Sequence, residues 1–460
     1  MALVLHVVNL LLTSKLVYTN VPEPYMDEIF HVPQAQQYCS GDYLTWDPKL
    51  TTPPGLYVTS NIIAYVARLL QFDLCTVNAL RFTNILFSIG LYFVLVSLIS
   101  TVSCKPKSIK LNLYALALCW FPVGFFYNFV YYTDPGSTFF VMFCYLLAKK
   151  KRYFSSGIIG LVSLTFRQTN IIWVCLFMMI VIIDTLTVDP KKNDDKPSLY
   201  NPVCSSIHQP TQVVGIISSL LVSTVKQITT VLPNIFSFIL AIISFAAFLV
   251  WNGGIVLGDR SNHVAGLHFP QLFYYTSFLS FFAAPWTLSV SILTSLLTIK
   301  RCLIGTTASI VTLYLIHKFT QVFLLYEHPF LLSDNRHYSF YVWKKIYKRH
   351  WTVRYLLTPV YVMSGFVNIR VFAQHTSFLV SLGYLFALIL TLVPSPLLEF
   401  RYFIIPFLFY MVHIPPPTSI TRTLVALTLY FSIHVITMYL FLYNPFTWSS
   451  EPNQLQRFMW

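Results

Sequence analysis

The sequence predicts an all-α polytopic membrane protein, and three observations carry that prediction. Of its 460 residues 56% are hydrophobic and 10% charged, whereas a water-soluble globule carries about 25% charged residues. Apolar runs of roughly 20 residues, long enough to cross about 30 Å of hydrocarbon as helices, recur along the chain. The runs lack the alternation of barrel strands, and backbone polar groups in lipid must be satisfied internally, so a helical bundle is expected.

The net charge of +14 is one footprint of nucleic-acid binding, but its distribution speaks against nucleic acid as a partner. Lys105, Lys107 and Lys110, then Lys149 to Arg152, then Lys191, Lys192 and Lys196, then Lys300 and Arg301 form short clusters between apolar runs. Cytoplasmic loops look like this under the positive-inside rule. The eight cysteines show no CxxC and no Cys/His cluster at metal-ligand spacing. Cys39 and Cys75 are able to pair in an oxidising compartment, but two free thiols are the preferred reading.

Taken in order, residues 2–19 form an apolar segment with no basic n-region and no small-residue cleavage site, and a first span is expected there. The stretch EPYMDEIFHVPQAQQYCSGDYLTWDPKLTTPPGLY follows, from Glu23 to Tyr57, holding five of the sixteen acids of the chain. Next comes a shorter apolar stretch carrying Arg68. If it spanned, the following helix would deliver KPKSIK to the same side as the acidic loop, against the charge rule. It is therefore expected to lie on the surface, in a first non-cytosolic region 20–79 with juxtamembrane helices near 28–38 and 55–70.

Further spans are predicted near 80–102, 112–132, 137–148, 154–166 and 170–187. Residues 188–232, rich in Lys, Asp, Pro and Ser, read as a cytosolic linker of little order. A span near 234–251 leads to the loop 252–270, and a long span ends at Lys300 and Arg301. Another near 303–325 leads to the loop 326–354, followed by spans near 355–373, 377–395, 403–413 and 423–443. One membrane domain over 1–460 results, with roughly 12–14 spans, polar and acidic loops on one face and basic loops on the other.

Several groups on the polar face are able to do chemistry. On a helix opening after Pro24, Asp27 and Glu28 each share a face with His31, so a carboxylate and an imidazole point into one pocket. A carboxylate held out of bulk water becomes a better base toward a hydroxyl; acids in a first helical turn also serve simply to stabilise the helix. In SDNRHYSFYVWKK, Arg336 and His337 beside Asp334 supply charge and Tyr341 an aromatic face, a mixture suited to a sugar phosphate. Lys344 and Lys345 read instead as interfacial anchors. Arg167 and Gln168 in FRQTN, and Asp259, Arg260 and His263 in GDRSNH, are polar groups at the membrane that are costly without a role. Glu399 and Arg401 read as a structural ion pair. Walker A, GxGxxG, HExxH and GxSxG patterns are absent, as is a DxD on the acidic-loop face.

MDEIFHVPQAQQYC, WDPKLTTPPGLY, FRQTNIIW, NGGIVLGDR with HFPQLFYY, DNRHYSFYVWK, LLEFRYFIIP and QRFMW together resemble the eukaryotic dolichyl-phosphate-glucose dependent α-1,2-glucosyltransferase family. The matches run through nearly the whole chain and leave out the linker. The resemblance implies a GT-C type helical bundle in the endoplasmic reticulum membrane, with dolichyl phosphate glucose as donor and a diglucosylated oligosaccharide on dolichyl diphosphate as acceptor. It implies an essential acid in the first luminal loop, a position matched by Asp27 with Glu28 beside it. A β-phosphate donor and an α-linked product imply inversion, with Arg336, His337 and Arg167 toward the phosphate and Trp46, Tyr57 and Tyr341 toward the sugar. His31, Gln168, Asp259, Arg260 and Asp334 complete the expected substrate-binding set. No metal or other cofactor is called for. The rival readings are a related transferase moving mannose, and a lipid or sugar transporter, for which an internal repeat is expected and not found.

Overall fold

Residues 1–69, 71, 75–187, 199–259, 266–296, 298–322, 334–395, 397–417 and 419–460 are described by the computed structural model, and among them helices predominate. The first helix, α1 (Ala2–Asn20), buries Leu10 and Val17 yet leaves Leu5, Leu11, Leu12 and Leu16 exposed. A helix apolar on both its packed and its open side is built for lipid. Two short helices follow, α2 (Glu28–Cys39) and α3 (Gly55–Arg68), and then the long α4 (Val77–Val102), whose first turn is capped by the Thr76 hydroxyl accepting from the Ala79 N–H at 3.4 Å.

The span expected near 112–132 is broken. Helices α5 (Ile109–Cys119) and α6 (Pro122–Phe126), the latter running on into a 3-10 turn, meet at a 70° bend. Pro122 disfavours the helical conformation at the residue before it, which ends α5 there. Helices α7 (Thr133–Lys149), α8 (Tyr153–Leu164) and α9 (Ile171–Leu186) come next.

Where a linker of little order is expected, residues 199–227 are ordered and contain α10 (Pro210–Lys226). Its polar residues act as caps: Gln212 Oε1 accepts from the His208 and Gln209 N–H groups at 2.8 and 3.0 Å, with Pro210 at the first helical position. Ahead of it the chain is sewn to residues 376–379, through Cys204 N–H to the Thr376 carbonyl at 2.9 Å and Phe378 N–H to the Pro202 carbonyl at 3.0 Å. Residues 188–198 of the expected linker lie outside the described residues.

Helix α11 (Ile228–Asn252) ends on Gly253 at φ +67°. The long span expected to end at Lys300 is divided into α12 (Pro270–Thr287) and α13 (Val290–Leu296), while Lys300 and Arg301 fall in the first turn of α14 (Ile299–Val322). The remaining long helices are α15 (Thr358–His375), α16 (Phe378–Leu392), α17 (Ile404–His413) and α18 (Ile420–Tyr443), followed by a hairpin of β1 (Phe446–Trp448) and β2 (Glu451–Gln456).

Among the described residues five helices are long and apolar enough to cross a bilayer, or six with the bent pair. The roughly 12–14 expected spans also counted shorter apolar helices such as α8, whose 12 residues rise only about 18 Å.

The chain divides into two compact units. One unit comprises Met1–Cys119, Gly124–His263 and Ala373–Ala387, the other Trp120–Val123, Val264–Phe372 and Leu388–Trp460. In the second unit Phe121 stacks on Phe407 with centroids 4.1 Å apart, and the Tyr430 hydroxyl donates to the Phe282 carbonyl at 2.6 Å. Glu399 and Arg401 form the expected ion pair, Arg401 Nη2 lying 2.9 Å from Glu399 Oε1.

Candidate active site

Two adjacent acids differ in burial where α1 hands over to α2. Met26 takes a left-handed backbone conformation, φ +57°, uncommon for a residue with a side chain, and reverses the chain into Asp27, the residue that caps α2. The Asp27 main-chain N–H donates to the Tyr132 hydroxyl at 3.2 Å, and its carbonyl accepts from the Phe30 and His31 N–H groups at 3.0 Å each. Asp27 stays half-buried at the helix start.

Glu28, one residue on and turned by about 100° around the helix axis, is 0% exposed. Arg81 of α4, also 0% exposed, donates Nε to Glu28 Oε1 at 2.8 Å and Nη2 to Oε2 at 2.6 Å. The Tyr131 N–H adds a bond to Oε1 at 2.5 Å and the Tyr25 N–H one to Oε2 at 3.0 Å. Both oxygens are therefore taken, and the Glu28 carboxylate is closed off from any acceptor hydroxyl.

One turn along α2, His31 is buried with Nδ1 2.5 Å from the Tyr57 hydroxyl. Tyr57 departs from expectation. Its ring is 0% exposed, packed among His31, Tyr38, Trp46 and Tyr131 with centroids 5.8 to 6.5 Å away, so it offers no face to a sugar. Burial pushes its ionisation well above the usual phenol value, with the neighbouring Tyr131 and Tyr38 and the Asp47 and Asp27 carboxylates reinforcing the shift. Tyr57 thus keeps its proton and shares a hydrogen bond with His31 Nδ1. Trp46, half-buried beside it, anchors its Nε1 on the Leu50 carbonyl at 3.3 Å.

The segment from Thr45 to Gly55 is the node at which distant parts of the first unit meet. Gln34, buried on α2, donates to the Thr45 carbonyl at 2.8 Å and accepts from the Asp47 N–H at 2.9 Å. Gln168 donates Nε2 to the Thr51 carbonyl at 2.8 Å. The Asp259 N–H reaches the Pro48 carbonyl at 2.7 Å, just after Gly258 at φ +63°, where a Cβ would stand 2.2 Å from that same carbonyl oxygen. Only glycine fits both that dihedral and that approach. The Gly55 N–H donates to the Thr165 carbonyl at 2.8 Å. Gln168, Asp259, Trp46, Tyr57 and His31 are therefore brought together on the first loop, while Arg260 and His263 lie outside the described residues.

Arg167 is brought to Asp134 at the start of α7, with Nη2 3.1 Å from Oδ1 and 3.4 Å from Oδ2. The side chains are 17% and 4% exposed, so the guanidinium keeps a partly open edge while its partner is enclosed.

In the second unit, Arg336 forms a fork on Asp334, Nε to Oδ1 at 2.8 Å and Nη2 to Oδ2 at 2.7 Å. Its Nη1 donates to Gln456 Oε1 at 2.9 Å, and the guanidinium lies 4.6 Å from the centre of the Trp448 ring. His337 places Nδ1 2.8 Å from the Trp460 carbonyl and Nε2 3.7 Å from Asp334 Oδ2. Burial alone would raise the Asp334 carboxyl, but the Arg336 hydrogen bond and the charges of His337 and Arg336 outweigh it and hold it below its ordinary value. Tyr341 is half-buried, with Lys345 Nζ 5.4 Å from its ring centre.

Arg81, Asp134, Gln34 and Tyr132 are the residues that motif reasoning passes over. Arg81 had a signal, being a lone cation inside the apolar run of α4, where an ionisable group calls for a partner. Gln34 and Tyr132 had none, since their partners are backbone groups that only the fold brings near. Among the described residues no three His, Cys, Asp or Glu side chains converge in a metal-ligand arrangement.

Comparison with known proteins bears on the same residues. Residues 21–412 match the model of the DIE2/ALG10 family. A Homo sapiens protein named Dol-P-Glc:Glc(2)Man(9)GlcNAc(2)-PP-Dol alpha-1,2-glucosyltransferase is 40% identical, covering 95% of this chain and 93% of its own. Proteins of the same name from Arabidopsis thaliana and Yarrowia lipolytica are 34% and 31% identical, over 96% of this chain in each case and 95% and 94% of their own. Among solved structures, an Archaeoglobus fulgidus oligosaccharyltransferase is similar over 91% of this chain and 54% of its own, at 12% identity and a TM-score of 0.32, too low to carry an argument. Because the family model and these relatives run through most of the sequence, the first loop included, the chain belongs to the DIE2/ALG10 family.

Proposed function

We infer that this chain is an inverting glucosyltransferase of GT-C type. It moves glucose from dolichyl β-D-glucosyl phosphate, in α-1,2 linkage, onto a diglucosylated lipid-linked oligosaccharide in the endoplasmic reticulum membrane. The relatives that bear this activity in their names cover 95% or more of the chain, which supports the reaction class and both substrates. The observation that carries the site is the contrast between Asp27, half-buried at the start of α2, and Glu28, whose two oxygens are held by Arg81 and two main-chain N–H groups.

In the proposed step the acceptor 2-hydroxyl oxygen bonds to the anomeric carbon from the face opposite the phosphate. The bond from that carbon to the phosphate oxygen breaks with its electron pair, and the hydroxyl proton passes to Asp27. Arg167 is the proposed phosphate contact of the first unit, and within the second unit Arg336 and His337 are a further pair suited to a phosphate. Each is already oriented by a carboxylate, which suits preorganised stabilisation of the leaving group. Trp46 remains the proposed sugar contact of the first unit, Tyr341 is an aromatic face of the second suited to a sugar, and Tyr57 is reassigned to holding His31. The lipid phosphate carries its charge before the bond breaks, so the step is complete without a cofactor.

The Cys39–Cys75 disulfide supports a luminal first loop, since such bonds belong to oxidising compartments. A glycosylation sequon engineered into residues 105–110 should accordingly stay unmodified, and its modification would overturn the topology. The reaction is tested with purified protein in detergent, synthetic dolichyl phosphate sugars and a diglucosylated acceptor. Transfer of glucose, abolished in Asp27→Asn at equal expression, is the expected result. Full activity in that variant, or transfer of mannose in place of glucose, would overturn the corresponding part of the reading.

A further inference from the structure

The Glu28–Arg81 pair is unusual in how much of the first loop hangs on it. Besides its fork on Glu28, Arg81 donates Nη1 to the Val21 carbonyl at 2.6 Å and Nη2 to the Glu23 carbonyl at 3.0 Å. Glu28 in turn receives the Tyr25 and Tyr131 N–H groups. Four stretches of chain are tied to two side chains: the exit of α1, the turn into α2, the N-terminal part of α4 and the approach to α7. Asp27 sits in the middle of them. Its neighbour on one side is Glu28 itself, on the other the left-handed Met26, and its own N–H is bonded to the hydroxyl of Tyr132, the residue after Tyr131.

A buried ion pair is poor evidence for net stability, because desolvating two charges offsets most of their attraction. What such a pair supplies is direction, since a guanidinium fork and a carboxylate meet well in one plane. A base must sit within a few tenths of an ångström of its proton, and a misplacement of about 1 Å costs on the order of 100-fold.

We propose that Arg81 is a positioning residue for the transferase reaction, acting through Glu28 to aim the Asp27 carboxylate at the acceptor hydroxyl. This rests on the reading of Asp27 as base. The Arg81 side chain is enclosed by the protein, so its loss should lower kcat and leave binding alone.

The full-length protein in detergent is assayed as Arg81→Lys, Glu28→Gln and the double variant Arg81→Met with Glu28→Gln, measuring kcat, both KM values and the melting temperature. Lys keeps the charge without the fork, and Glu28→Gln keeps the acceptor for the Tyr131 N–H without the charge. The double variant removes both charges and so relieves the unpaired one left by the single change. We expect kcat to fall on the order of 10- to 100-fold in all three, with both KM values within about twofold. In the double variant the melting temperature should recover toward that of the unaltered protein while kcat does not.

Recovery of kcat in step with the melting temperature would reduce the pair to a structural one and overturn the proposal. Unchanged kcat, a change confined to KM, or failure of all three variants to yield folded protein would do the same. Asp27→Asn is assayed alongside. Full activity there removes the base itself, whereas loss there with Arg81→Lys unimpaired sinks only the positioning role.

Discussion

The Tyr57 hydroxyl lies 2.5 Å from His31 Nδ1, with both side chains closed off from solvent. Burial keeps Tyr57 protonated, so its hydroxyl and Nδ1 share one buried hydrogen bond. Tyr57→Phe removes one partner of this buried hydrogen bond, at a cost of about 1–3 kcal/mol. The expected result is a lower melting temperature with a reduced kcat, while Tyr57→Phe with His31→Phe, which removes both partners, regains most of the stability. Equal melting of Tyr57→Phe and unaltered protein would refute the assignment of the hydrogen bond.

The pairing of Arg167 with Asp134 predicts an asymmetry. Asp134 is the more enclosed partner, so Arg167→Ala strands a buried carboxylate and should destabilise by roughly 3 kcal/mol, whereas Asp134→Asn keeps a hydrogen-bonding partner and should cost less. Denaturation of the two variants decides the order. If Arg167 also meets the donor phosphate, Arg167→Gln with Asp134→Asn should melt near the unaltered protein yet show a raised KM for the lipid donor.

The cysteines supply a correction and a prediction together. Cys39 and Cys75, preferred as free thiols from sequence, are bonded, at the point where α2 ends and the chain enters α4. Gln36 Nε2 donates to the Cys75 carbonyl at 3.1 Å and Arg68 to the Cys39 carbonyl at 3.1 Å, so the two residues are brought together by more than their own bond. Closing a loop of this length constrains the unfolded chain by about 2–4 kcal/mol. Thiol titration of denatured, unreduced protein should therefore return two groups fewer than after reduction, and dithiothreitol should lower the melting temperature. No difference in the thiol count would eliminate the disulfide.

Asp334 gives the second unit a pH dependence. Its folded carboxyl is held below the unfolded value of about 3.9 by Arg336 and His337 against the opposing effect of burial. The clamp therefore adds stability above the unfolded value and loses it as pH falls through the folded one. Melting temperature measured from pH 7 downward should drop more steeply below about pH 4 in the unaltered protein than in Asp334→Asn. Parallel curves would count against the clamp.

Much of the helical order was legible because lipid imposes a strong compositional rule. Charge placement alone put a non-spanning helix near 55–70, and α3 runs from Gly55 to Arg68; with 14 residues it rises about 21 Å, short of the hydrocarbon thickness. The rule weakens where polar residues have local work. The Gln and Pro residues before α10 read as a solvated linker, yet Gln212 and Pro210 build a helix start. A local hydrogen bond and a disordered tail share the same composition.

By itself the sequence determined that this is a membrane-embedded helical protein, and through its motifs it pointed to the first loop as the place of chemistry and to Asp27 and Glu28 as its acids. Which of the two is enclosed was a tertiary matter. Neighbours on a helix point about 100° apart, and the inward one is chosen by Arg81, 53 residues away along the chain. The same holds for Tyr57 and Arg336. Their residue types suit a sugar phosphate, but whether an aromatic face or a guanidinium edge is open depends on what the folded chain packs against it, and no local pattern encodes that.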